Sequence, residues 1–400
     1  MKSLPLLAAA LIGSAASAED IKFKPLLDTR LRYENVDQDG IARDADALTL
    51  RIRPGLQASA GGWSALIEGE GTLALVDTYN NGTNGKTQYP AVIDPRNAEL
   101  NRAQIRYAGK DFAVTAGRQV IELADQRFVG SSSFRQNQQT FDAVRVQWGQ
   151  AKGLSADVSY AWSDRTVNGR HGRGARQQAV SGDNVFALLN YGMSAGTLTG
   201  FAYLVDQDEA AVQGYRLSSQ TYGVRFAGSR PLSKQVKLGY VASWANQRDY
   251  HRNPDHYSAD YWLIEGSLAV AALTARAGYE VLGADKGVAL TSVQTPLASL
   301  FPFQGWADKF TTTPPNGVRD LYGTLGYGWK KAGPADAINL TAAYHRFTSD
   351  RLGQHYGNEW DLLASAKRGR ATLSARYARY EADRFATDTS KFWLQVDWVL

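Results

Sequence analysis

Between Ala103 and Trp148 the side chains alternate too strictly for a helix. Ala103, Ile105 and Tyr107 interleave with Arg102, Gln104 and Arg106. After a turn, a second strand and a polar loop, Val144, Val146 and Trp148 interleave with Ala143, Arg145 and Gln147. Successive side chains of a strand point to opposite faces, so each such segment carries one apolar and one charged face. The pattern recurs. Leu27, Thr29, Leu31 and Tyr33 stand against Asp28, Arg30, Arg32 and Glu34, and Leu48, Leu50 and Ile52 against Thr49, Arg51 and Arg53. Trp63, Ala65 and Ile67 do the same against Ser64, Glu68 and Glu70.

Further segments of this kind are expected near 111–122, 154–162, 184–191, 196–205, 220–227, 234–244, 260–270 and 273–281. Others fall near 320–329, 338–346, 358–366, 371–380 and 391–400. Roughly 18 strands result, within the range of outer-membrane barrels. The connections alternate between short ones, as at 59–62, 108–111 and 366–370, and long ones, as at 77–98, 123–139 and 282–318. Short periplasmic turns and long extracellular loops are what an up-and-down antiparallel barrel requires. No fixed repeat marks a solenoid or propeller. Tyr33, Tyr107, Trp148, Trp162, Tyr191, Trp244, Trp329 and Trp398 cluster at strand ends, as in aromatic girdles at membrane interfaces.

The first residues read as an address. Lys2, the apolar run Leu4 to Ile12 and Ala16-Ser17-Ala18 form a secretory signal over 1–18, which leaves 19–400 as one barrel domain. The chain has no cysteine, so it lacks the disulfides of small extracellular scaffolds. Within 19–400 no apolar run approaches the length of a membrane helix; the best is Leu268 to Leu273. Barrel strands never produce such runs. The formal charge of +5 is too small to imply a nucleic-acid partner. Outer-membrane lipid and the outer-membrane assembly machinery are the partners a Gram-negative outer-membrane barrel needs.

An arginine facing lipid at mid-bilayer costs about 2–4 kcal/mol, so the arginine faces must look into the lumen. The expected wall comprises Arg30, Arg32, Arg51, Arg53, Arg102, Arg106, Arg118, Arg145, Arg225, Arg276 and Arg376. Glu68, Glu70, Asp142 and Glu280 are expected to neutralise part of it. Guanidinium groups fork onto carboxylates, so this wall favours anions. An aqueous channel, not a filled core, is expected from about 18 strands.

Gly117-Arg118-Gln119 and the loop from Asp125 to Val146 resemble the alginate-export family of outer-membrane barrels. The stretches from Thr295 to Tyr322 and from Tyr377 to Leu400 are similar as well. The resemblance implies an 18-stranded electropositive conduit that passively passes an anionic polysaccharide or oligosaccharide, an alginate-like uronate. It carries over most strongly to Arg118 and Arg127, with Asp142 as a counter-charge. Within the same fold, the alternative is an anion-selective porin taking up small anionic solutes. An outer-membrane hydrolase is the third reading.

Features that resemble chemistry are few. Gly192 to Gly196 match G-x-S-x-G, but they fall in a short turn between strands, not at a strand-to-helix elbow. Asn35 to Gly40 with Asp46 imitate a calcium loop without its helices. His171, His251, His256, His345 and His355 show no metal spacing. No catalytic residue, metal or cofactor is expected.

Overall fold

The computed structural model describes residues 20–400, and the expected signal at 1–18 lies outside them. The first six strands are β1 (Lys22–Gln38), β2 (Ala45–Ala60), β3 (Trp63–Thr78), β4 (Asn97–Ala108), β5 (Phe112–Gln119) and β6 (Thr140–Gly149). Then come β7 (Gly153–Arg165), β8 (Ala179–Met193), β9 (Gly196–Val205), β10 (Ser219–Pro231), β11 (Val236–Asp249) and β12 (Ser258–Val270). The last six are β13 (Leu273–Leu282), β14 (Val318–Ala332), β15 (Ala335–Thr348), β16 (His355–Arg368), β17 (Ala371–Ala382) and β18 (Thr389–Val399). Each pairs antiparallel with its sequence neighbours. β1 also pairs with β18, from Asp28 opposite Val399 to Gln38 opposite Thr389. That last ladder closes an 18-stranded barrel and leaves no unpaired sheet edge, the condition for strands to cross a bilayer.

Apolar residues face outward and charged ones inward, the reverse of a soluble protein. Leu31, Ile52, Ile105, Ile264, Leu325, Leu362 and Val396 are exposed, while Arg32, Arg51, Arg53, Glu68, Glu70 and Asp361 are buried at the alternate positions. Two aromatic rings bound this apolar belt. Trp63 and Tyr107 (ring centroids 4.8 Å apart) and Tyr327 and Trp329 (4.4 Å) lie towards the short turns. Trp244 and Trp262 (6.1 Å) and Tyr344 and Trp360 (4.8 Å) lie towards the long loops. The protein is a transmembrane β-barrel of the outer-membrane type. In β18, Val396 faces outward opposite Leu31 of β1 and Leu373 of β17. Val396→Arg is expected to cost about 2–4 kcal/mol, seen as a lower melting temperature of the heat-modifiable band in detergent. An unchanged melting temperature would contradict the outward assignment.

Two departures from expectation matter for function. β5 stops at Gln119 instead of continuing to 122, because Ile121 and Leu123 turn into the lumen and are buried there. The lumen is also not a purely aqueous, arginine-lined tube. Inward-facing Phe141, Phe186, Tyr203, Tyr261, Phe347 and Tyr380 form an apolar interior with residues of two long loops, among them Val129, Val293, Leu297 and Phe310. Burying each such aliphatic or aromatic side chain stabilises by about 1.5–3 kcal/mol. That drive pulls the loops inside.

Candidate functional site

The two loops are 120–139, between β5 and β6, and 283–317, between β13 and β14. They are stitched together by backbone bonds: Gly130 N–H donates to the Leu297 carbonyl (2.9 Å) and Ser299 N–H to that of Gln126 (3.1 Å). Arg127 clamps the joint. Its Nε donates to Glu280 Oε1 on β13 (2.8 Å), Nη1 to Thr295 Oγ1 (3.0 Å) and Nη2 to Gln304 Oε1 (3.0 Å), and its guanidinium lies over the Phe303 ring. Phe134 of one loop stacks flat on Phe301 of the other, with Trp393 of β18 edge-on to both. The folded loops thus cross the barrel and constrict it.

One wall of the constriction is basic. Arg30 lies directly opposite Arg51 in the β1–β2 ladder, and Arg32 and Arg53 flank them. Arg30 Nη1 donates to the carbonyls of Ser133 (3.0 Å) and Phe134 (2.9 Å), and Arg53 Nη2 to that of Gln136 (3.1 Å). Arg32 reaches the Phe134 carbonyl too, and both Arg32 and Arg376 sit over the Phe134 ring. Loop 120–139 is therefore held by the arginines beneath it. Their carboxylate partners are Asp397 for Arg30 (2.7 Å), Asp28 for Arg51 (2.5 Å) and Glu70 for Arg53 (2.5 Å). Arg51 keeps Nε and Nη1 without a hydrogen-bond partner although the side chain is buried.

The stretch of wall over β13–β16, a few strands round the ring from β1, is acidic. Glu280, Asp320, Glu359 and Asp361 point inward from β13, β14 and β16 and are buried. His345 of β15 sits between two of them, Nδ1 at 2.9 Å from Asp320 Oδ2 and Nε2 at 3.6 Å from Asp361 Oδ2. Loop 283–317 docks here: Ala307 N–H donates to Glu359 Oε1 (2.7 Å). Gly305, at φ +76°, passes where any Cβ would collide with the Glu359 carboxylate. The sequence reading missed this wall except for Glu280, and it dismissed His345. Strict alternation was the available signal, since Glu359 and Asp361 interleave with outward Trp360 and Leu362.

Between the walls, Asp308 of loop 283–317 bonds Arg135 (2.9 Å) and Lys391 (2.6 Å). Burial alone would raise the Asp308 carboxyl, but the two cations outweigh it and hold it well below the usual carboxylate range. Burial, with Lys391 close by, pulls Lys309 down to about 8. A vestibule of about 660 Å³ opens above the constriction, with Phe134, Arg135, Arg176, Phe301 and Pro302 among its lining residues.

Of the residues expected to line the pore, Arg30, Arg51, Arg53, Arg102, Arg106, Arg145, Arg276 and Arg376 lie on the inward face. Arg102 forks onto Glu68 (2.8 and 2.6 Å) and Arg145 onto Asp157 (2.8 and 2.5 Å). Arg106 bonds Thr115 and Gln147 (both 3.1 Å), and half-exposed Arg276 lies 3.6 Å from Glu265. Arg118 and Asp142 are corrected. Arg118 pairs in register with Ala103 and Asp142, on the same face as outward Ile105, Val144 and Val146. The two make a bidentate pair (2.8 and 2.9 Å) on the outer side of the wall, away from the lumen. Arg127 is corrected as well: it is 1% exposed and fully engaged, a clamp inside the loops and not an open lining residue.

The other motifs resolve simply. Ser194 lies in the tight connection between β8 and β9, with no helix to form an elbow. Asp46 Oδ1 accepts from Tyr33 Oη (2.5 Å) and Asn35 Nδ2 (3.1 Å), which occupies the calcium-like residue.

No protein-family model and no curated protein matches the sequence. Solved structures do match the fold. Acinetobacter baumannii OccAB4 is 13% identical with a TM-score of 0.71, covering 96% of this chain and 99% of that one. The Pseudomonas aeruginosa outer membrane protein OpdK is 14% identical with a TM-score of 0.70, covering 95% and 98%. OpdK solved with vanillate is 12% identical with a TM-score of 0.69, covering 94% and 98%. The resemblance to alginate exporters is therefore overturned. The barrels just described, matched over nearly their whole length, are Occ and Opd proteins, and two packed loops cross the lumen.

Proposed function

We propose that the chain is an anion-selective porin, a passive channel that takes small anionic solutes across the outer membrane. The observation that carries this reading is the arginine row at the constriction: partly exposed Arg30 on β1, backed by buried Arg51 directly opposite it on β2, with Arg376 on β17 over the same Phe134 ring. A guanidinium beside the path offers a passing carboxylate a charge-assisted hydrogen bond. Stacked Phe134 and Phe301 offer an apolar surface beside the cations, suited to a compact organic anion. The likeness to OpdK, solved with vanillate, an aromatic carboxylate, supports that choice. Weak successive contacts along such a row let an anion enter and still leave. The test is planar-bilayer recording across a KCl gradient, with small carboxylates and oligouronates added in turn. Anion-selective reversal potentials and block by monocarboxylates at low salt are expected. Cation-selective reversal, or oligouronate permeation in liposome swelling equal to that of a monocarboxylate, would overturn the reading.

A further inference from the structure

The outer wall over β13–β18 is not a uniform apolar cylinder. A groove of about 470 Å³ is cut into it, flanked by Leu325, Tyr327, Leu340, Leu362, Tyr377 and Phe392. Its floor is formed by small outward residues, Ala342, Ala364 and Ala375, with Ala364 directly opposite Ala375 in the β16–β17 ladder. Flat barrel walls do not need such a recess. Its apolar lining and its place within the lipid-facing belt suit a hydrocarbon chain.

The same strands carry a basic band at the level of the aromatic ring at the long-loop end and just beyond it, with Arg379 directly opposite Trp360. Two residues past Tyr344 on β15 is Arg346, two past Tyr377 on β17 is Arg379, and two before Leu321 on β14 is Arg319. All three share the outward face with those residues. Arg319 is held by Asp350 (2.9 Å) and Arg379 by Asp388 (3.3 Å). Arg346 is exposed and, among the described residues, makes no ion pair; it faces Asn358 across the β15–β16 ladder. Along β15 it stands four residues above Ala342 in the groove, about 13 Å at roughly 3.3 Å per residue. An arginine at that level sits where headgroups begin, with its guanidinium free for phosphate.

We infer that groove and band form one lipid site. A phosphate-bearing lipid of the outer leaflet lays an acyl chain in the groove floored by Ala342, Ala364 and Ala375, and Arg346, flanked by Arg319 and Arg379, receives its phosphate. The recess alone would accept any hydrocarbon, and the arginine alone any anion. Their vertical alignment on adjacent strands selects a molecule that is both.

The experiment is native mass spectrometry of the folded, detergent-solubilised protein titrated with diphosphoryl lipid A. Folding of every variant is checked by heat-modifiable gel mobility. Wild-type protein is expected to retain lipid adducts. Arg346→Gln, which removes the charge, and Ala364→Phe, which fills the groove, should each weaken retention about tenfold. Fully dephosphorylated lipid A should be retained less well than the diphosphoryl form, and millimolar inorganic phosphate should not displace the adduct. Wild-type retention by both folded variants would overturn the site. Equal binding of the dephosphorylated lipid, displacement by inorganic phosphate, or an oligomer that Ala364→Phe dissociates would each do the same, the last because the groove would then belong to a second copy of the chain.

Discussion

Arg127→Ala is expected to give a wider, noisier channel: single-channel conductance rises severalfold and frequent transitions between sub-states appear. The reason is the position of this one side chain. Its three hydrogen bonds reach β13 at Glu280 and loop 283–317 at Thr295 and Gln304, while its backbone belongs to loop 120–139. Removing it leaves the Glu280 carboxylate buried without its cation, which typically costs about 3–5 kcal/mol. Tyr261 still donates to Glu280 (2.8 Å), but a phenol does not neutralise a charge. The barrel itself is closed by backbone ladders, so that loss falls on loop docking and not on the strands. Arg127→Lys keeps the charge without the fork and should fall between the two. Glu280→Gln combined with Arg127→Ala should cost less than the sum of the single changes, because both act on one pair. Wild-type conductance and quiet open levels in Arg127→Ala would show that the loops are held by their apolar contacts alone.

Arg30→Gln together with Arg376→Gln is expected to move the reversal potential in a KCl gradient towards the potassium potential. Two positive charges leave the constriction, and Asp397, freed from its 2.7 Å pair with Arg30, adds an uncompensated negative one. Fixed charges beside a partly dehydrated path act more strongly than the same charges in bulk water. The shift should be large at 0.1 M salt and small at 1 M, since the Debye length falls from about 10 Å to about 3 Å. Block by small carboxylates should weaken in parallel. Arg30 also holds the carbonyls of Ser133 and Phe134, so some rise in conductance is expected; the salt dependence separates charge from loosening. Reversal potentials that match wild type at 0.1 M would remove the arginine row as the source of selectivity.

Much of this architecture was legible in the residues. Strand count, antiparallel order, alternating loop lengths and the outward apolar face all follow from a period of two, because a bilayer punishes any charged residue on the wrong side of a strand. Taken alone, the alternation places Arg118 on the outer face, against the penalty that the bilayer puts on charge there. Val114, Ala116 and Arg118 share a parity, and outward Val114 carries Arg118 outward with it; a motif resemblance overrode the alternation. The acidic wall was legible on the same terms at Asp320, Glu359 and Asp361. Loop behaviour was not. Arg127 and Glu280 lie 153 residues apart and meet only because closure of the barrel brings the β5–β6 and β13–β14 loops to one lumen. Loops have no periodicity to read, and their docking depends on apolar footings such as Phe141, Tyr203 and Phe347 that belong to distant strands. Strand alternation and the bilayer act locally on each segment, so a closed transmembrane barrel with most of its strand arginines turned inward can be read from the chain alone. How narrow the channel is, and which arginines reach it, depends on contacts between segments far apart in the chain that meet only once the whole barrel has closed.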